Sequence, residues 1–290
     1  MTGARTEPPN RASAGLRHRI AGVTLAFGSD DERVAILQSR RYRRMQADDE
    51  GSTDINAFTV CRTDEPYVVI DDDVVRCCRH DAVAGERNFT PELIEGRAML
   101  EVNRRIFARR PELVVCHAGA LVIDRKAVVI AGPSRAGKST LTLSLLLAVR
   151  GHRMLSDEFA LINIDEGTVE AFPRLLSARA GTRRSLGLGV LHLAWDAFDP
   201  TGIFVEGWAA EAPIGEVFIL AGRDDYTRIR RLGDAEAMLA LLPNVMGAEH
   251  GLAILDKVEA ALKGATVYEL VAGPPQEAAA AVLEIVQHRA

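Results

Sequence analysis

The residues with the clearest chemistry are Lys138 and Ser139. They end the run Gly132-Pro133-Ser134-Arg135-Ala136-Gly137-Lys138-Ser139, which matches G-x-x-x-x-G-K-[ST] at every fixed position. Such a loop binds phosphate for physical reasons. Glycine lets the backbone curl so that successive N–H groups point at phosphate oxygens. A helix N-terminus behind it adds partial positive charge. Lys138 would reach the β- and γ-phosphates, and the Ser139 hydroxyl would ligate Mg²⁺. The motif alone does not separate a kinase from an ATPase or a GTPase.

Other candidates lie near it in sequence. Arg153–Leu155 reads as a short strand that delivers Asp157 and Glu158 at its end. Open α/β sheets bind ligands at the carboxyl ends of their strands. A carboxylate there can hold Mg²⁺ through water, take a proton from an attacking hydroxyl, or simply cap a turn. His117 interrupts an apolar strand, where a lone histidine is more often structural than catalytic. Arg174 follows Phe172-Pro173. Arg179, Arg183 and Arg184 sit among glycines on what reads as a loop, either solvated or available to an anionic ligand.

The flanking elements support the motif. Ala127–Ala131 is apolar and β-branched, so it reads as a buried strand entering the loop. Thr140–Val149 reads as the helix leaving it, closed by Gly151. Leu113–Ile123 is a strand pair or one long bent strand, turned by Asp124-Arg125. Phe159–Ile164 and Thr168–Phe172 make a hairpin around Asp165-Glu166-Gly167. Glu216–Ala221 is a strand with Thr227–Leu232 as its hairpin partner. Helices follow over Asp234–Leu242 and Ala248–Lys263, then a strand over Ala265–Val271 and a terminal helix over Pro274–His288.

Residues 18–110 read as a separate small α/β module, behind a flexible tail over 1–17. It holds a strand over Ile20–Phe27, a helix over Asp31–Met45, a strand over Ala57–Cys61, and a hairpin of Tyr67–Ile70 with Val74–Cys78. A helix over Pro91–Arg110 closes it. Asp71-Asp72-Asp73 fit a hairpin turn, which explains them without a metal. Arg40, Arg41, Arg43 and Arg44 fit a solvated helix face.

Composition limits the classes of function. The 290 residues carry a net charge of −5, which makes no case for a nucleic-acid partner. At 48% hydrophobic and 26% charged, the chain has the composition of a globular protein. No apolar stretch reaches the roughly 18 residues of a transmembrane helix, and residues 1–17 lack a signal-peptide core, so no membrane partner is expected. The four cysteines, Cys61, Cys77, Cys78 and Cys116, form no C-x-x-C pair and suit free thiols in a reducing cytoplasm.

With these residues in place, the middle of the chain resembles the HPr kinase/phosphorylase family, and especially its smaller HPr-kinase-related proteins. Three blocks carry the resemblance: G-P-S-R-A-G-K-S-T; His117 in C-H-A-G-A-L-V-I-D ahead of it; and Gly151-His152-Arg153 followed by two apolar residues and Ser156-Asp157-Glu158. Phe172-Pro173-Arg174 matches a proline-arginine block of the related group, and residues 212–244 look similar more loosely. Two departures stand out. The second acid is Glu158 rather than aspartate. Arg184 falls where the HPr kinases proper carry a glutamate in E-x-x-G-L-G.

The resemblance implies an α/β fold with a P-loop kinase core of the HPr kinase/PEP carboxykinase type over 111–290, beside the N-terminal module. By position, Asp157 would be the general base, and Lys138 would hold the phosphates with His117 near the transferred one. Gly132, Pro133, Ser134, Arg135, Ala136, Gly137, Lys138, Ser139 and Thr140 would bind nucleotide. Ser139 and Glu158 would bind metal, and Arg174 phosphate or substrate. The implied activity is ATP- and Mg²⁺-dependent transfer of the γ-phosphate to a hydroxyl, by this resemblance a serine, of a peptide or protein acceptor such as a peptide natural-product precursor. Acceptor recognition falls to residues 18–110, and family habit implies a homo-oligomer. A small-molecule hydroxyl kinase and a non-catalytic ATP-binding regulatory module remain the alternatives.

Overall fold

The structure is a computed structural model that describes residues 16–29, 32–46, 58–63, 68–71, 74–78, 103, 107–149, 151–178, 180–187, 197–198, 207–247 and 252–288. Two compact units divide the chain, Met1–Ile106 and Phe107–Ala290. Among the described residues no helix is long and apolar enough to cross a membrane.

The first unit holds β1 (Leu16–Ile20), β2 (Val23–Ser29), α1 (Glu32–Arg41), β3 (Phe58–Thr63), β4 (Val68–Asp71) and β5 (Val74–Cys78). They form one mixed sheet in the order β1-β2-β3-β5-β4. The strand expected over Ile20–Phe27 is strand from Val23 onward, and Ala21-Gly22 is the turn of a hairpin that joins it to β1. Ala21 and Gly22 both take positive φ, 49° and 77°, and Ile20 pairs with Val23. That is the backbone a two-residue hairpin loop requires, and its Ala-Gly spelling hides it in an apolar run. β4 and β5 do form a hairpin, with Asp71 opposite Val74. Asp72 and Asp73 lie outside the described residues. So does most of the helix expected over 91–110, of which Asn103 and Phe107 are described, both helical.

The second unit carries β6 (Leu113–Ile123), β7 (Lys126–Ala131), α2 (Lys138–Ala148), β8 (Arg153–Ser156), β9 (Phe159–Asn163) and β10 (Thr168–Glu170). Next come β11 (Leu176–Ser177), α3 (Ala180–Ser185), β12 (Ala197–Phe198), β13 (Glu211–Arg223), β14 (Arg228–Arg231) and α4 (Asp234–Leu241). The last elements are α5 (Ala253–Leu262), β15 (Thr266–Ala272) and α6 (Pro275–Gln287).

The result is a mixed α/β fold around a mostly antiparallel sheet, not the parallel sheet an open α/β reading suggests. β7, β13 and β15 run parallel side by side. β6 is one long strand antiparallel to β7, and its other edge is shared by β8 and β9. β10 pairs with both β9 and the start of β13, so β13-β10-β9-β6-β7 close into a ring. β14 pairs with β15 rather than with β13, its expected hairpin partner. The segment over 179–189, read as a loop, contains α3.

Side-chain alternation sorts the strands into two cores. Cys116, Ala118, Ala120 and Val122 of β6 join Val129 and Ala131 of β7, with Leu241 of α4 and Val258 of α5 against them. Leu121 and Ile123, on the other face, join Val128 and Ile130 under Leu141 and Leu145 of α2 and Val282 of α6. The apolar residues of α2 thus bury against the sheet, which holds its N-terminus at the end of β7. Gly119 permits this approach. A Cβ there would sit 2.5 Å from Thr142 Oγ1. Cys116 is free and buried, and burial pushes its thiol up to about 12.

Candidate functional site

The carboxyl end of β7 meets the amino end of α2 through residues 132–137. Two glycines shape that loop. Gly132 takes φ 148° where the chain brushes β13, and a Cβ would lie 2.9 Å from Leu220 Cβ. Gly137, at φ 114°, precedes the first helical residue, a left-handed position that suits glycine. The first turn of α2 therefore points its unpaired N–H groups toward a cavity of about 650 Å³ lined by Ser134 to Leu141.

Lys138 opens α2 and folds back over the loop. Its Nζ donates to Gly132 O at 2.7 Å and to Pro133 O at 3.1 Å. The side chain is nearly buried, and that burial pushes its pKa down to about 8 against the opposing pull of Asp157. Gly132 and Pro133 thus serve the lysine from behind, while Ser134 onward faces the cavity.

Asp157 and Glu158 line the same cavity. β8 and β9 lie end to end along β6, with Ser156 opposite Ala120 and Phe159 opposite His117. The acids follow the carboxyl end of β8, as expected, and form a bend before β9 resumes along the same edge of β6. Ser156 makes the bend: its Oγ accepts from the backbone N–H of Glu158 at 3.1 Å and of Phe159 at 3.0 Å. Glu158 O accepts from Ala118 N–H at 3.1 Å, tying the bend to β6. Ser156 is fully buried, so its removal strands two amides. Ser156→Ala is expected to cost about 1–3 kcal/mol, read as a lower urea midpoint at unchanged slope. An unchanged midpoint would show that the hydroxyl does not hold the bend.

His117 reaches the same cavity from β6, edge-on to Phe159 at 6.3 Å between ring centroids. Its surroundings, and then the charge of Lys138, lower its pKa to about 4, so the ring is neutral at pH 7. Arg174 also lines the cavity. Phe172 is pinned to β8 by its N–H on Leu155 O at 2.8 Å, which brings Pro173 and Arg174 beside the acids. Arg174 Nη1 is bonded to Glu158 Oε2. The residue expected on phosphate and the one expected on metal therefore neutralise each other here.

His152, from the G-H-R block, is structural. It is buried, with Nδ1 3.1 Å from Leu145 O, one of the last carbonyls of α2, and burial lowers its pKa. Arg183 and Arg184 do not line the cavity, and Arg179 lies outside the described residues. Among the described residues no group of three or more His, Cys, Asp and Glu could hold a metal ion.

Three features of the cavity escape sequence reading. Arg223, at the end of β13, donates from Nε to Ala136 O at 3.2 Å and lies against Gly137. Its only signal is its place at the carboxyl end of a strand parallel to β7, and that neighbourhood appears only with the topology. Thr182 of α3 shares a hydrogen bond with Thr140 of α2, Oγ1 to Oγ1 at 2.9 Å. Pro275 and Ala278, from the start of α6, form the wall beyond.

No family model matches the chain, and no curated protein matches it. Among solved structures it is similar to the HPr(Ser) kinase/phosphatase from Coxiella burnetii. The identity is 15%, the match covers 60% of this chain and 89% of that chain, and the TM-score is 0.30. That is a distant structural relationship, and it assigns no role to any residue.

Proposed function

We propose that this cavity binds a nucleoside triphosphate, ATP by the resemblance, and that the protein transfers its γ-phosphate to a hydroxyl of a peptide or protein. The observation that carries the reading is the meeting of Lys138 and Asp157. The lysine stands at the start of α2, behind the glycine loop, and shares one cavity with an aspartate whose charge acts on it. Phosphoryl transfer is mostly positioning and electrostatics, and it needs those two functions on opposite sides of the phosphate.

The residues divide the task. The first turn of α2 and Lys138 bind the phosphates. Asp157 orients the acceptor hydroxyl and takes its proton. His117, neutral at pH 7, offers one N–H without adding charge. Arg223 adds a cation over the loop. The oxygen donors Ser139 and Glu158 suit Mg²⁺, which would draw its remaining ligands from phosphates and water. Bound there, Mg²⁺ would supply neutralisation of phosphate charge.

The test is incubation with ATP, Mg²⁺ and a pool of small proteins and peptides, followed by mass spectrometry. A product heavier by one phosphate on serine or threonine is expected. ATP turnover without such a product would place the acceptor among small molecules. Binding without turnover would make the protein a regulatory module, and no ATP binding at all would overturn the reading.

A further inference from the structure

Glu158 is a carboxylate of the cavity that suits a metal, yet its Oε2 is bonded to the Arg174 guanidinium. The pair is built, not casual. Arg174 keeps only 12% of its side chain exposed, whereas Glu158 keeps 37%. The arginine is fixed by Phe172 on β8, and the glutamate by the Ser156 bend and by Ala118. Both side chains line the cavity, as do Lys138 and Arg223. A divalent cation entering alone would meet Glu158 already neutralised and, beside Asp157, four cationic side chains, Arg135, Lys138, Arg174 and Arg223. Mg²⁺ gives up its water reluctantly and would gain little there.

We propose that Arg174 masks Glu158 in the nucleotide-free protein, so that a divalent cation enters only together with phosphate. This rests on the nucleotide reading of the cavity. When a triphosphate arrives, Arg174 gains a better anion than Glu158 and turns to it. Glu158, released, gains a better cation than Arg174. One ion pair is exchanged for two, so the phosphates and the metal bind cooperatively. Toward the nucleotide Arg174 is a direct phosphate contact, and toward the metal it is a positioning residue that acts through the carboxylate it holds or releases. Metal-free nucleotide and nucleotide-free metal should each bind more weakly than the two together, by the same factor.

Mn²⁺ serves as the probe, with its free concentration read by electron paramagnetic resonance. In the nucleotide-free protein, Arg174→Met is expected to tighten Mn²⁺ binding about tenfold, from loss of a competing pair and of a repelling charge. Adding Glu158→Gln to that variant should return the affinity to the wild-type level. Glu158→Gln alone uncovers the Arg174 charge, so it should weaken nucleotide-free Mn²⁺ binding slightly, but by much less than the roughly tenfold loss expected in the presence of a non-hydrolysable ATP analogue. This second arm stands even where Arg174→Met folds poorly. The proposal is overturned if Arg174→Met and wild type bind Mn²⁺ equally, if the gain survives Glu158→Gln, or if Glu158→Gln alone weakens Mn²⁺ binding as much without the analogue as with it. Failure of the nucleotide reading shows separately, as no binding of the analogue to wild type.

Discussion

Lys138→Met is expected to weaken ATP binding at least about a hundredfold and to abolish transfer, while melting at or above the wild-type temperature. The loss follows from removing the ammonium that the proposed function sets on the phosphates; a charge-assisted contact to a buried anion contributes about 3 kcal/mol. The unchanged or raised melting temperature follows from the same burial. Lys138 is nearly enclosed, and its depressed pKa shows that the fold strains against its charge. Methionine fills the space without that cost, as a site shaped for function rather than stability predicts. The pH dependence carries the same sign. In the free protein Lys138 loses its proton as pH rises through about 8. Phosphate favours the protonated form, so binding above that pH takes up a proton. The dissociation constant should be flat below pH 8 and weaken about tenfold per pH unit above it. Isothermal titration in buffers of differing ionisation enthalpy measures both. A flat affinity up to pH 9.5 would remove Lys138 from the phosphates.

How much of this site can be read from the chain alone depends on sequence distance. The loop and its helix are contiguous, and their chemistry is local: a strand, two glycines, a lysine and a hydroxyl at fixed spacing. Gly132 and Gly137 take the positive φ values that motif requires. Asp157 and Glu158 are also readable as a pair, but their geometry is not. They look like the end of a strand because nothing local says that Phe159 resumes on the same edge of β6. The Ser156 hydroxyl that bends the chain there is spelled like any serine.

Long-range pairing is harder still. Residues 228–231 carry the right residues for a strand after β13, and the nearest partner in sequence is β13 itself. The position is taken by β15, which arrives after two helices and runs parallel to β13. Nothing in the period of either strand encodes that insertion. Arg223 is missed for the same reason, since its proximity to Gly137 exists only once β13 is known to lie beside β7. The ring closed by β10 is equally silent in sequence: Pro213 argues against a strand, yet sits inside β13 at its pairing with Thr168. The contact between Arg174 and Glu158 is a middle case. Each residue stands out by type and place, but their pairing needs Phe172 to lie against β8.

Asp157→Asn is expected to lower the rate of transfer about a thousandfold while leaving ATP affinity at pH 7 within about threefold. Two groups in the cavity could take the acceptor's proton, Asp157 and His117, and the pKa of about 4 leaves the histidine as unprotonated as a carboxylate at that pH. What separates them is the charge each would acquire. His117 would become a cation beside Lys138, whose charge already depresses it. Asp157 would become neutral, and as an anion it accepts from a hydroxyl through either oxygen, where the histidine must hold one tautomer. The proposed function therefore puts the base at Asp157 and makes His117 a donor to the transferred phosphate. His117→Gln, which keeps a donor, should cost about tenfold, far less than Asp157→Asn. Single-turnover rates at saturating ATP, with affinity measured in parallel, separate chemistry from binding. A larger loss in His117→Gln than in Asp157→Asn would exchange the two roles. Equal losses in ATP affinity and rate for Asp157→Asn would instead place that carboxylate on the metal. That result would also touch the Arg174 latch, because Glu158 would then share the ion with a second carboxylate rather than provide its main acidic contact.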